Sequence, residues 1–578
     1  MADAGALSTP AGSRPPAGVP PLGPRRLAIT WSIPDGFGGM TSAMLHRSRA
    51  LVAATGGTVD LLTFDPRSGY DEIRQRLTDR GELTDGVRLR NLYEELAELG
   101  GGGPSVEVRE IRDRSGDLAR VEHRRADGSL AVLDERTAVA GGRRRLTAFD
   151  TSGTRVGQWP GAWACYTAWI DRLVGDTPAV AVVDSKTMAP FVAGLRRPNL
   201  ATVHVVHASH LEGRARPYAP LRRSRATALA RMERFDAVVF LTERQRGDTV
   251  QLLGDPGNLA VIPNGRALPA YADGHGARGG GVVVAGLTAR KRVGDAIEIA
   301  AMAGAGGAGG SPVSLTIVGD GPDRERLERL AADQPCEVAF TGHRPDGAEA
   351  FAEASWMLLT SRSEGSPLVL AEAMARGCVP IAYDVPYGPA DLIEDGVNGF
   401  LVADGDRDAA AAAITRLVRA TPAECAAMRE AARRTAERFD DAVVTGAWLA
   451  IEREALDRAG VPAREVDAHV GRVRLRLRRG TLRLSAQVSG VARGSGVTVS
   501  FRATRTTRVV RRRLRVGRDG RLSVRLDPAA TALLAAPRRA LDVSVLLGEG
   551  RATVDLPPTR LHPDRRSLPR RLRDRLAR

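Results

Sequence analysis

Two glutamates and the turn between them are the residues of this chain best placed to do chemistry. In Thr360 to Asp384, TSRSEGSPLVLAEAMARGCVPIAYD, Glu364 ends an apolar strand and Glu372 follows eight residues later, while Gly365, Ser366 and Pro367 open a helix at Leu368. Exposed amides at a helix N-terminus attract an anion, and a glycine there lets backbone approach a ligand closely, so the turn suits a nucleotide diphosphate. Glu364 is positioned to accept hydrogen bonds from sugar hydroxyls, and Glu372, two turns into the helix, to reach a ribose. On spacing alone, two ordinary helix-flanking charges account for the pair better.

The second group of candidates is basic. Of 84 basic residues only Lys186 and Lys291 are lysine, so a lysine invites a question about its chemistry. Lys291 stands in AGLTARKRV, just past a strand and between Arg290 and Arg292, where a compact positive charge can meet phosphate. Three histidines, His204, His207 and His210, cluster in HVVHASHLEGR. His204 falls inside the strand and reads as structural; His207 and His210, three residues apart, lie just beyond it, and the run offers too few ligands for zinc.

These side chains need a scaffold, and the apolar runs supply one. RRLAITWSI, the glycine loop DGFGGM holding Gly38 and Gly39, and the helical TSAMLHRSRALVAAT form strand, turn and helix, the opening unit of a doubly wound α/β domain. After about Val87 the pattern changes to period-two alternation (VEVREIRD, LARVEHRR, LAVLDER, RRLTAFD), which predicts an inserted antiparallel meander. Buried strands resume with AVAVVD, ATVHVVH and AVVFLT, and the Gly-rich Asp273 to Gly281 reads as a linker. Beyond it, five apolar strands alternating with helices predict a second parallel sheet, closed by a helical segment from Asp408 to Leu456. Alternation returns past Val466, which predicts a small β-sandwich before a basic tail.

Composition narrows the classes. At 578 residues and 43% hydrophobic content the chain calls for three or four domains. No run approaches the ~18 to 20 apolar residues of a membrane-spanning helix, and the Pro-rich first 24 residues lack the apolar core of a signal peptide, so a cytoplasmic protein is expected. Cys165, Cys336, Cys378 and Cys425 are too scattered for a zinc ligand set or a disulfide framework. From Glu465 onward there are 28 arginines against nine acidic residues, a net +19, which leaves −3 for the preceding 464 residues out of the total +16. This fifth, including Arg511 to Arg513, holds almost no aromatics to stack on bases, which speaks against single-stranded nucleic acid and for a polyanion or an anionic membrane surface. Arginine-rich coding alone would account for it equally well.

Four segments in order, VIPNG, IVGDGPDRERLERLA, FTG and SEGSPLVLAEAMARGCVPIA, closely resemble the retaining family 4 glycosyltransferases of GT-B fold, over about Arg25 to Leu456. The resemblance implies that Glu364 contacts the donor sugar, that the backbone over Gly365, Ser366, Pro367 and Leu368 meets the diphosphate region, and that Glu372 binds the ribose. It further implies that a histidine at His207 or His210 touches the donor, that Gly319 and Gly342 border it, and that Gly38 and Gly39 face the acceptor. A plain left-handed turn accounts equally well for Gly319. No metal or other cofactor is implied besides the UDP-sugar substrate. The loop GGMTSAMLHRS, the segment YGPADLIEDGVNGFLV and the β-rich insertion narrow the resemblance to the teichoic-acid glycosyltransferases, whose inserted sheet supports oligomers. Where the family usually has an arginine five residues before Lys291, this chain has Gly286, leaving Arg290 or Arg292 to supply the second charge.

The expected organisation is a disordered lead over 1–24, an acceptor domain over 25–275 with its insertion at about 87–150, a donor domain over 276–460, a basic β-domain over 465–560, and a basic tail over 561–578. The expected activity is transfer of glucose or N-acetylglucosamine from a UDP-sugar to a polyol-phosphate polymer, by a homo-oligomer peripheral to the inner face of the membrane. A transferase for a lipid-linked or small acceptor, or an inactive polyanion-binding scaffold, are the alternatives.

Overall fold

A computed structural model describes residues 23–561, apart from 104, 137–143, 214–215, 270–277, 306–312, 345, 462–468, 471–473, 479–480, 490–494, 504–505, 518, 535–540, 548–553 and 556–558. The lead, most of the predicted linker and all but the first residue of the basic tail lie outside the described residues.

The first half begins with β1 (Arg25–Ile29), β2 (Val59–Thr63) and β3 (Val87–Asn91), which pair in parallel. Five antiparallel strands follow: β4 (Glu107–Arg112), β5 (Leu118–Arg124), β6 (Leu130–Glu135), β7 (Arg145–Phe149) and β8 (Arg155–Trp159), in sequential order. The insertion thus differs from its expected bounds at both ends. Val87–Asn91 alternates buried and exposed residues because it is the edge strand of the parallel sheet, and period two cannot separate an edge strand from a meander. The fifth strand, RVGQW, escaped notice because a glycine and a glutamine interrupt its apolar pattern. The chain then returns through β9 (Ala179–Val183), β10 (Leu200–Val206), β11 (Ala237–Phe240) and β12 (Leu259–Val261), giving a seven-stranded sheet in the order β12-β11-β10-β9-β1-β2-β3.

The second half comprises β13 (Gly281–Val284), β14 (Ser314–Val318), β15 (Glu337–Gly342), β16 (Trp356–Leu359), β17 (Val379–Tyr383) and β18 (Phe400–Val402), in the order β15-β14-β13-β16-β17-β18. Among the described residues this half has six strands where five were expected, the extra one being the three-residue Phe400–Val402. Both sheets reverse direction of growth beside their first strand, at β1/β9 and at β13/β16. In such sheets the crevice for a ligand opens at the carboxyl ends of the strands flanking the reversal.

The last long helix, Asp441–Ala459, was expected to close the second half, but it packs on the first. Its buried stripe of Val444, Trp448, Ile451, Ala455 and Ala459 joins the core of Ala28, Val180, Val203 and Val239, and Glu452 pairs with Arg26 at 3.0 Å. The apolar stripe at helical spacing was visible in the sequence, but not which sheet it would cover.

After the helix come β19 (His469–Val470), β20 (Arg474–Arg478), β21 (Thr481–Ser489), β22 (Gly496–Ala503), β23 (Val509–Arg515), β24 (Arg521–Leu526), β25 (Leu541–Leu547), β26 (Val554–Asp555) and β27 (Thr559–Leu561). They form two antiparallel sheets, one around β21 and one around β22 and β25. Leu482, Leu484 and Val524 of one sheet share a buried cluster with Val497, Val499 and Phe501 of the other. This module docks on the first half. Arg511 is buried against Glu233 at 2.9 Å, Arg512 donates to the Gln251 carbonyl and Arg513 to that of Asp255, and Tyr218 donates to Asp527. The Arg511 to Arg513 run is therefore committed to an internal interface, not to a displayed positive patch. Its attachment was illegible in the sequence because its partners lie more than 250 residues away.

Candidate functional site

The carboxyl ends of the two sheets meet. His207 follows the last residue of β10, and Glu364 lies five residues beyond β16. A Cβ added to Gly365 would stand 1.9 Å from the His207 carbonyl oxygen, so only glycine allows this approach of turn to strand end. Around this junction, Arg266 reaches Glu372 at 2.6 Å, Tyr387 donates to Asp248 at 2.8 Å, and Arg244 pairs with Asp384, each joining one half to the other.

On the second half, the loop after β13 brings the cations. Lys291 Nζ lies 2.7 Å from Glu364 Oε1, and Arg290, half-exposed, donates to the Ser363 carbonyl at 2.9 Å and approaches the same carboxylate at 3.4 Å. Arg292 turns elsewhere: it donates to the Thr360 and Ser361 carbonyls, pairs with Asp404 and lies over the Tyr383 ring. Of the two arginines considered as the second charge, Arg290 thus stands at Glu364, while Arg292 ties the strand ends together. Gly286 is open, with only the Asp320 carbonyl as near as 4.0 Å to an added Cβ.

The helix Leu368–Ala375 starts at Pro367 without a side-chain cap, so its first amides keep their positive end uncompensated by any described side chain. The Glu364 backbone is fixed in both directions, its amide donating to the Pro386 carbonyl and its carbonyl accepting from the Tyr387 amide. Glu372 lies on this helix, largely buried, with Arg266 as its partner. Gly319 has φ +142°, and a Cβ there would strike the Ala285 carbonyl at 1.9 Å; its amide donates to the Gly342 carbonyl. The two glycines therefore knit the strand-end loops of β13, β14 and β15 together beside Gly286.

On the first half the structure separates the two histidines. His207 Nε2 lies 2.7 Å from Asp184 Oδ1, and Arg47 forks onto the same carboxylate at 3.0 and 2.7 Å while stacking over Trp448. Burial alone would raise the Asp184 carboxyl, but the Arg47 guanidinium and His207 together hold it well below the usual carboxylate range. The ionised Asp184 thereby orients the His207 ring. His210, expected beside it in the site, is fully buried. It stacks on Tyr387, lies 3.2 Å from Thr249 Oγ1, and burial pushes its pKa down to about 3. It is a packing residue between the halves, and spacing of three could not reveal this because the segment is not helical. His204 is buried within β10, as expected. Gly38 and Gly39 are exposed at the start of the helix Gly39–Thr55, with no atom within 4 Å of an added Cβ. Sequence reasoning missed Asp184, Arg47 and Tyr387; the terminal aspartate of the apolar run AVAVVD was the available signal for the first.

Among the described residues no group of three or more His, Cys, Asp or Glu side chains is arranged to hold a metal ion, and no helix is long and apolar enough to cross a membrane. Two doubly wound sheets with their carboxyl ends opposed, and two cations on the glutamate that precedes the helix Leu368–Ala375 at the junction, make a GT-B-like architecture. Residues 282–420 match the family described as Glycosyl transferases group 1, so the second half carries a group 1 glycosyltransferase domain. Over 456 residues the chain is 21% identical to a poly(ribitol-phosphate) alpha-N-acetylglucosaminyltransferase of Staphylococcus aureus, covering 66% of this chain and 90% of that protein. It is 34% identical over 242 residues, 41% of its length, to an exopolysaccharide phosphotransferase of Streptomyces coelicolor, of which it spans only 25%. Among solved structures, that of S. aureus TarM in complex with alpha-GlcNAc-glycerol and UDP superposes with a TM-score of 0.57 at 18% identity, covering 74% of this chain and 99% of TarM.

Proposed function

We propose that the chain is a retaining glycosyltransferase that moves glucose or N-acetylglucosamine from a UDP-sugar to hydroxyls of a polyol-phosphate polymer of the teichoic-acid kind. The observation that carries the reading is the convergence of Lys291 and Arg290 on Glu364, at an uncapped helix N-terminus facing His207 across the junction. As the bond from the anomeric carbon to the diphosphate breaks, negative charge grows on the leaving oxygen and positive charge on the sugar. Lys291, Arg290 and the amides of Gly365, Ser366 and Leu368 meet the first, Glu364 and His207 orient the second, and Glu372 holds the ribose once it exchanges Arg266 for the nucleotide. Gly319 and Gly342 shape the floor of the donor pocket, and Gly38 and Gly39 border the acceptor. The poly(ribitol-phosphate) relative, of which the chain covers nine-tenths, supports the acceptor class.

In this reading the C-terminal sheets form a sandwich-like acceptor module, the enzyme works at the cytoplasmic face of the membrane, and copies associate through the inserted sheet, whose outer strand β4 leaves mostly exposed residues at an open edge. The test is a panel of UDP-sugars with poly(glycerol phosphate) and poly(ribitol phosphate) acceptors, read as UDP release and polymer glycosylation. Failure to release UDP from any donor, with or without acceptor, overturns it.

A further inference from the structure

The basic C-terminal module uses its arginines in two different ways, and only one has a partner among the described residues. On the β22 sheet, Arg511 and Arg513 bond to the first half, Arg515 is exposed across from Gly496, and other positions carry Thr498, Ser500, Ser544 and Arg502 directly across from Asp542. Coding bias toward arginine has not spread evenly over that sheet. The β21 sheet differs. Its register sets Arg476 opposite Arg483 and Arg483 opposite Arg525, so three arginines stand in one row across three adjacent strands. Arg474, Ser485 and Ser523 form the next row, and Gln487 and Arg521 the one beyond. All these residues are exposed, and the residues alternating with them in β21 and β24 are buried. Two acids flank the arginine row, Asp519 beside Arg521 and Asp527 two residues beyond Arg525, the latter engaged by Tyr218 and Arg512; among the described residues no carboxylate pairs with Arg474, Arg476, Arg483 or Arg525.

Like charges directly opposite one another on neighbouring strands destabilise a sheet. An acid-free row is therefore unfavourable by itself and becomes favourable when an anion lies across it. Strands ~4.8 Å apart and a two-residue rise of ~6.7 Å place these guanidinium groups as a lattice of positive charge suited to a chain of repeated phosphodiesters. Two other polyanions fit less well. The module has no exposed aromatic ring on which bases could stack, its one phenylalanine, Phe501, being buried. It also shows no exposed large apolar side chain among the described residues to enter a bilayer.

We infer that the β20-β21-β24 face is an accessory binding surface for a base-free, linear polyol-phosphate polymer, separate from the donor site, with Arg476, Arg483 and Arg525 as its centre. It deepens the proposed acceptor class and rests on that reading for the choice of polymer; its test reads binding and not turnover, so the two can fail separately.

The test uses the full chain and fluorescently labelled poly(glycerol phosphate), with Kd measured over a range of salt. R476Q/R483Q/R525Q should raise Kd roughly 10- to 100-fold at low salt. It should also flatten the log–log salt dependence by about two, at ~0.7 per lost phosphate contact. R476K/R483K/R525K should keep the salt slope and melt like wild type, the glutamine variant should melt no lower than wild type, and both should bind UDP unchanged. An unaltered Kd and slope in the glutamine variant overturns the inference. So does a polymer of single-stranded DNA, or vesicles of phosphatidylglycerol, binding through the same three arginines as tightly as poly(glycerol phosphate).

Discussion

At the scale of single residues, Glu364 is the point on which the cations converge. Replacing it by Gln keeps the shape and removes the charge that Lys291 and Arg290 face, and turnover should fall by on the order of 10²-fold or more, measured as UDP release at saturating donor. Lys291→Ala should cost a similar factor, and the two losses should be far from additive because each removes the other's partner. Arg290→Ala and Arg292→Ala should differ in kind. The first should weaken turnover with little change in melting temperature. The second frees the Thr360 and Ser361 carbonyls and removes the ion pair to Asp404, so it should lower the melting temperature first. Equal effects of the two arginines on turnover alone would refute the assignment of Arg290 as the second charge.

At the scale of elements, the turn from Glu364 to Leu368 was legible because its information is local: a strand end, a glycine, a helix start. What the sequence could not show is that Gly365 is required by the other half of the molecule. Gly365→Ala should force the turn away from the His207 carbonyl, weakening UDP-sugar binding by roughly 10-fold or more and lowering the melting temperature. Gly39→Ala, in open space, should leave the melting temperature unchanged. Comparable melting losses for both would show that the junction is not closed as described. The histidine pair marks the opposite limit: three-residue spacing in an irregular segment sends His207 to Asp184 and His210 into the core against Tyr387.

That packing has a pH signature. Burial lowers His210 to about 3 from 6.5, so the folded chain keeps it neutral while the unfolded chain takes up a proton. The contribution is full above about pH 6.5 and is lost as pH falls from there toward about 3. His210→Gln cannot titrate. Wild type should therefore lose more melting temperature than the variant between about pH 7 and about pH 4.5. Equal acid shifts in the two proteins would show His210 to be solvated.

At the scale of the whole molecule, the charge imbalance of the sequence conceals two tasks. The overall layout of two parallel α/β halves, an inserted meander and a terminal β-rich module could be read from the period of apolar residues. The attachments between units could not: the helix Asp441–Ala459 crosses back to the first half, and Arg511 reaches Glu233 across 278 residues of sequence. Arg511→Met removes one member of a pair whose side chains are 2% and 6% exposed and leaves Glu233 charged and buried, a loss of about 3 to 5 kcal/mol in comparable cases. Restoring complementarity with Glu233→Leu in the same chain should recover most of that loss, since an apolar pair fills the site without an unpaired charge. Deleting residues 465–578 should accordingly do more than weaken polymer binding. It uncovers Glu233 and the helix Glu243–Leu253, so the first half should unfold at lower temperature, while R476Q/R483Q/R525Q weakens polymer binding with no loss of melting temperature. Thermal unfolding of the three proteins side by side decides it: a truncated chain as stable as wild type would mean that the Arg511–Glu233 contact braces nothing.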